Sequence, residues 1–141
     1  SFRIGLNKIG QKGYELKKFS TPEEYVCHNQ ICMANTTSIS ILANGDCSVC
    51  EMLYDNPEYL LGNVMESSIR EIWNSDKAIG LYTMVQSQFP KSSPCNTCRV
   101  FDKCRNDFGK RVCYLDIAKS GHSKWEPDPR CPHADNVDVV L

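Results

Sequence analysis

The chain has 141 residues, room for one domain, and its 16 Lys and Arg nearly cancel its 17 Asp and Glu, so no net field steers it toward nucleic acid or an anionic membrane. The longest apolar runs, such as the terminal "VVL", are far too short to span a bilayer, and the N-terminus lacks the apolar stretch of a signal peptide; the expectation is a soluble, cytoplasmic protein. Nine cysteines stand out, because an odd count without an export signal reads as metal ligation rather than as a disulfide framework.

Residues 1–19 carry Arg3, Lys8, Lys12, Lys17 and Lys18 against Glu15 alone, with glycines at 5, 10 and 13, and read as a solvated, partly extended lead-in. In "STPEEY", Thr21 is placed to cap a helix, with Pro22 at its first position and Glu24 closing a capping box. That short helix delivers Cys27. In "TSISILANGDCSVC", β-branched residues alternate around Asn44-Gly45-Asp46, and Gly45 suits the positive φ of a tight turn; two antiparallel strands are expected, about 37–42 and 46–51.

Gly62-Asn63 then reads as a turn, and Ser68 caps a helix with Glu71 three positions on. Ile69, Ile72 and Trp73 are expected to share its core face. "NSD" at 74–76 breaks the pattern, and Ile79, Tyr82 and Val85 suggest a second helix. A loop from Gln86 to Pro94 leads into the cysteine cluster. "YLDIAKSG" reads as a short helix ending at Gly121, followed by the polar loop "HSKWEPDPR", in which prolines stiffen the approach to Cys131. The tail "DNVDVVL" is either a late strand or frayed.

The thiols occur as Cys27 and Cys32, Cys47 and Cys50, the cluster Cys95, Cys98, Cys104 and Cys113, and then Cys131. Eight of the nine divide into two sets of four, the ligand number of a tetrahedral zinc or a cubane [4Fe-4S] cluster. Metal sites that tie distant loops together would supply stability that the modest apolar content does not. Cys47 reads as a buried structural thiol, because three positions of regular strand separate it from Cys50 and turn the two side chains to opposite faces. His28 and His133 read as surface or supporting groups, and Trp73, Trp125 and the isoleucines as core. Asp46, Asp116, Asp128 and Asp135 show no spacing for a paired-carboxylate site, and no glycine-rich phosphate loop is present.

"CMANTTSISILANGDCSVC", then "LGNV", "SIREIW", "CNTC", Cys104 and "DPRCP" follow one another in an order that closely resembles the SPASM domain, the C-terminal auxiliary-cluster domain of many radical SAM enzymes that modify peptides and proteins. The resemblance covers about residues 27–133, leaving 1–26 as a basic lead-in and short helix and 134–141 as a tail. It implies an α+β fold: a small cysteine-rich domain in which a β-hairpin, short helices and loops are organised around two metal clusters. Carried over by position, it implies a first [4Fe-4S] cluster on Cys27, Cys32, Cys50 and Cys113, and a second on Cys95, Cys98, Cys104 and Cys131. The family spacing after Cys104 would put the next cysteine where Phe108 stands. A five-residue insertion displaces it to Cys113, a change that costs little loop entropy; Cys47 is the alternative fourth ligand of the first site.

A radical SAM enzyme builds its radical at a C-x3-C-x2-C cluster, and no two cysteines of this chain have three residues between them. The chain is therefore not expected to be catalytic alone. The resemblance implies an upstream radical SAM domain that binds S-adenosylmethionine, a parent oxidoreductase or maturase, and a peptide or protein substrate, with the auxiliary clusters serving electron transfer or substrate binding. Nucleic acid and membrane partners are not expected. Two other classes compete: a zinc-stabilised four-cysteine interaction module, since thiolates suit both metals and zinc also fills such sites after aerobic preparation, and a Cys47/Cys50 redox pair, for which the surrounding βαβ pattern is missing.

Overall fold

The computed structural model describes residues 2–6, 12–16, 18–135 and 139–140, with side chains for 18–135. Lys8, Gly10 and Lys17 of the lead-in and residues 136–138 and 141 of the tail lie outside the described residues. Within the lead-in, β1 (Phe2–Leu6) and β2 (Lys12–Leu16) pair antiparallel, from Phe2 opposite Leu16 to Leu6 opposite Lys12. All nine cysteines are free thiols. Among the described residues no helix is long and apolar enough to cross a membrane.

The first helix, α1 (Pro22–His28), starts where its signals require: Thr21 accepts the Glu24 N–H at 3.1 Å and Pro22 occupies the first turn. The Glu24 carboxylate turns to the N–H of Ser20, at 2.8 Å, rather than to that of Thr21. The hairpin follows as β3 (Ser40–Ile41) and β4 (Asp46–Ser48), shorter than expected. Its three-residue loop closes with Leu42 N–H on Asp46 O at 2.8 Å, and Gly45 holds φ +88°.

Gly62-Asn63 is not a turn. It belongs to a third strand, β5 (Leu60–Asn63), which pairs antiparallel with β4: Asp46 opposite Asn63, Cys47 opposite Gly62, and Ser48 opposite Leu60. The register slips between Cys47 and Ser48, a bulge. Gly62 serves it in two ways, by adopting φ +154° and by letting Ile72 approach so closely that a Cβ would stand 3.1 Å from Ile72 Cγ1. A glycine next to asparagine reads as a turn by local chemistry; here tertiary packing requires it inside a sheet.

Two short helices cover the sheet. Before α2 (Ile69–Trp73) the capping box forms in full, with Ser68 Oγ on the Glu71 N–H at 3.2 Å and Glu71 Oε2 on the Ser68 N–H at 2.7 Å. Only Ile72 is fully buried on this helix; Ile69 is 50 % exposed and Trp73 half-buried. Likewise α3 (Asp76–Tyr82), capped by Ser75, buries Ala78 and Leu81, while Ile79, Tyr82 and the following Val85 are exposed. Helices this short meet the core at one or two points, and the contacts, not periodicity, select which residues go in.

α4 (Phe101–Arg105) and α5 (Tyr114–Lys119) complete the helices, and Gly121 ends α5 at φ +83°. The tail forms a strand, β6 (Val139–Val140), antiparallel to β2. Two apolar clusters result. The larger joins the sheet to α2, α3 and α5 through Leu53, Tyr59, Leu61, Ile72, Leu81 and Ile117; the smaller packs Met84, Phe89 and Phe101, with Cys95 and Trp125 against it. Cys47, 0 % exposed, is part of the larger cluster. The fold is α+β, as expected.

Candidate functional site

The site is built from a cysteine-bearing knuckle that the sequence holds rigid. Ser93 caps a 3-10 turn over Pro94–Thr97, its Oγ accepting the Cys95 N–H at 3.2 Å and donating to Trp125 O at 2.6 Å. Gln86 Nε2 then donates to both Cys95 O at 2.9 Å and Cys98 O at 2.8 Å, which fixes the two ends of the C-x2-C loop from outside. Cys104 is carried on α4, its N–H on Val100 O at 3.0 Å. Cys131 arrives on a turn anchored by its N–H to Asp128 O at 2.8 Å.

These four thiols line one cavity, together with Tyr25, Phe101, Arg105 and Asp128. Burial pushes the Cys104 thiol up to about 12; Arg105 opposes that shift, and the neighbouring Cys95 and Cys131 add to it. Burial likewise lifts Cys131 to about 11, countered by the His133 backbone N–H and reinforced by Cys95 and Cys98. His133 also lines the cavity.

The second set of thiols is gathered less completely. The segment before Cys32 is stitched to the segment before Cys113: Cys32 and Lys110 exchange backbone hydrogen bonds at 2.7 and 3.1 Å, Tyr25 Oη and Asn29 Nδ2 both donate to Arg111 O at 2.6 Å, and Arg111 Nη1 returns a bond to Asn29 O at 2.8 Å. Burial raises the Cys32 thiol, a backbone N–H opposes, and Cys50 raises it further. Cys113 stands at the N-cap position of α5, its N–H donating to Asp128 Oδ2 at 2.8 Å, and burial lifts its thiol to about 12. Cys27, by contrast, is exposed in the last turn of α1.

The segment between Cys104 and Cys113 is anchored along its length. Asn106 exchanges bonds with the Met84 backbone at 2.8 and 2.9 Å, Arg111 N–H bonds Cys104 O at 2.9 Å, and the Lys110 ammonium reaches Tyr82 O. Phe108 at its tip is 65 % exposed. Cys50 lies beyond the end of β4, at the start of a 3-10 turn, so the regular-strand spacing expected between it and Cys47 does not exist; Cys47 is nonetheless packed in the core opposite Gly62.

Sequence patterns missed the groups that organise the site. Asp128, 1 % exposed, accepts the Cys113 N–H and, at 2.9 Å, the Arg130 N–H, while Arg130 Nη1 pairs with Asp116 Oδ2 at 2.7 Å and with Asp128 Oδ1 at 3.5 Å. One buried carboxylate thus ties the Cys113 helix to the Cys131 turn. Arg105 enters the same cavity from α4, with Nη2 3.6 Å from Cys95 Sγ. Its place directly after Cys104 is the only local signal for it.

Among the described residues no three Cys, His, Asp or Glu side chains are arranged to hold a single metal ion. Cys95, Cys98, Cys104 and Cys131 line one cavity, and thiolates suit both zinc and iron-sulfur clusters. An all-thiol donor set with a buried guanidinium alongside fits an anionic thiolate-ligated cluster, in which hydrogen bonds to sulfur and local charge tune the metal.

No curated protein and no solved structure matched the chain. A family model did match, over residues 32–99: SPASM, an iron-sulfur cluster-binding domain. The matched segment holds Cys32, Cys47, Cys50, Cys95 and Cys98; Cys27, Cys104, Cys113 and Cys131 flank it. The hairpin, the capped helix "SIREIW" and the C-x2-C knuckle all lie inside that span, so the likeness of residues 32–99 to the SPASM family of iron-sulfur cluster-binding domains takes in the elements that build the site.

Proposed function

We propose that the chain holds two [4Fe-4S] clusters and acts as the auxiliary-cluster domain of a radical SAM enzyme that modifies a peptide or protein. The observation that carries the reading is the cavity lined jointly by Cys95, Cys98, Cys104 and Cys131, drawn from three separate segments, in a chain whose central segment is similar to an iron-sulfur family. These four thiols would hold one cluster. Cys32, Cys50 and Cys113, with Cys27 from the exposed end of α1, would hold the other.

When bound, the clusters would supply one-electron transfer. The protein's own part is to gather the thiols, exclude water with Phe101 and Tyr25, and hold the two loops in fixed relation through Asp128 and Arg130. Full thiolate ligation at both sites favours electron transfer and a shaped substrate surface over direct substrate ligation. The radical-generating centre and S-adenosylmethionine would belong to a separate upstream domain, since no C-x3-C-x2-C motif exists here.

The ligand assignment is tested by anaerobic iron and sulfide analysis of Cys113→Ala beside Cys47→Ala. Cys113→Ala is expected to lose the iron of one cluster, about half the total, with a matching loss of visible absorbance. Cys47→Ala is expected to keep full iron. The opposite pattern would exchange the two residues, and full iron with an unchanged spectrum in both would remove the first-site assignment.

A further inference from the structure

Arg105 carries a full charge and is 1 % exposed. Its guanidinium is held from several sides: Nη1 donates to Lys124 O at 2.9 Å, Nη2 donates to Glu126 O at 2.7 Å and to Cys95 Sγ at 3.6 Å, and the group lies 5.2 Å from the centroid of the Phe89 ring. Nε is buried without a hydrogen-bond partner. Arg130 is also largely buried, but it has the carboxylates of Asp116 and Asp128. Arg105 has none within ion-pair distance among the described residues.

A cation taken out of water needs a compensating anion, or the desolvation is left unanswered. The backbone carbonyls of Lys124 and Glu126 satisfy N–H groups but carry no net charge. Cavity sulfur that becomes anionic on binding a metal is what remains: Cys95 in hydrogen-bond contact, and Cys104 one residue away on the same helix. The planar fork suits this place, since it reaches two carbonyls and a sulfur at once where a lysine ammonium is a point charge on a flexible stem.

We propose that Arg105 is a positioning residue for the four-cysteine site: a fixed cation that compensates the charge of an iron-sulfur cluster on Cys95, Cys98, Cys104 and Cys131 and raises its reduction potential. The proposal rests on the cluster assignment above. Reduction adds one electron from a one-electron donor, with no bond made or broken, so the negative charge beside the guanidinium grows. A fixed positive charge and an N–H bond to sulfur both favour the reduced form more than the oxidised one, and their loss lowers the potential.

The test is a redox titration of the anaerobically loaded chain, followed by electron paramagnetic resonance, in the wild type, Arg105→Met, Arg105→Lys and Cys98→Ser. The wave that disappears in Cys98→Ser belongs to this site. In Arg105→Met that wave is expected to shift to lower potential by at least a tenfold change in the reduction equilibrium, about 59 mV for a one-electron couple, while Arg105→Lys stays nearer the wild type. An unshifted wave in Arg105→Met overturns the proposal. Should Arg105→Met fail to load this site, Arg105→Lys decides: loading supports the charge role, and failure of both assigns the effect to the hydrogen-bonding fork and overturns it. A wild type with no wave dependent on Cys98 refutes the cluster assignment itself, and this proposal with it.

Discussion

Buried thiols set the chemistry at the smallest scale. Burial holds Cys104 and Cys113 at about 12 and Cys131 at about 11, well above the roughly 8.5 of a free cysteine. Without metal these groups are neutral thiols at physiological pH, so loading a metal must displace their protons. The sign for stability follows. Between the unfolded value and about 11–12 the folded chain binds more protons than the unfolded one, so the stability present below about 8.5 is lost as pH rises through that window. Metal-free protein is therefore expected to show a falling denaturation midpoint from pH 8 to pH 10 in chemical unfolding, and a flat or rising midpoint would contradict the buried-thiol geometry. That Cys95, Cys98, Cys104 and Cys131 form one group was legible in the sequence, because candidate ligands announce themselves by residue type. Arg105, Gln86 and Asp128 were not, because each acts through a neighbour that only the folded chain supplies: a sulfur, two carbonyls, and the Cys113 N–H.

At the scale of elements, caps and the hairpin turn were readable and burial faces were not. Thr21, Ser68 and Gly45 act within a few residues of themselves, so local chemistry decides them. Ile69, Ile79, Tyr82 and Val85 form a plausible stripe on paper but are exposed, because five- and seven-residue helices touch the core through Ile72, Ala78 and Leu81 alone. The strand β5 was hidden by Gly62, whose role is a bulge and a close approach, not a turn. Replacing it with alanine strains φ +154° and drives a methyl to 3.1 Å from Ile72 Cγ1. Gly62→Ala is expected to cost about 1–3 kcal/mol from the backbone alone, with more from the contact, read as a lower thermal midpoint. An unchanged midpoint would mean that the sheet register differs from the one described.

Across the whole molecule, the two apolar clusters are modest and the loops between them are long, so much of the chain is held by anchored loops instead of regular structure. The buried Asp128–Arg130–Asp116 group ties the helix that starts after Cys113 to the turn that carries Cys131, and bound clusters would tighten the same joints. The likeness of residues 32–99 to the family, and the α+β architecture, were legible from the ordered motifs. The path of the chain between Cys104 and Cys113 was not, since its anchors, Asn106 on Met84 and Lys110 on Cys32, join residues far apart in sequence. The cysteine framework is proposed to hold two iron-sulfur cubanes. The iron and acid-labile sulfide content of the chain isolated without oxygen tests it most directly. Two cubanes predict about eight irons and eight sulfides per chain with visible absorbance that bleaches on reduction, whereas colourless, folded protein carrying stoichiometric zinc from the same anaerobic preparation would contradict it.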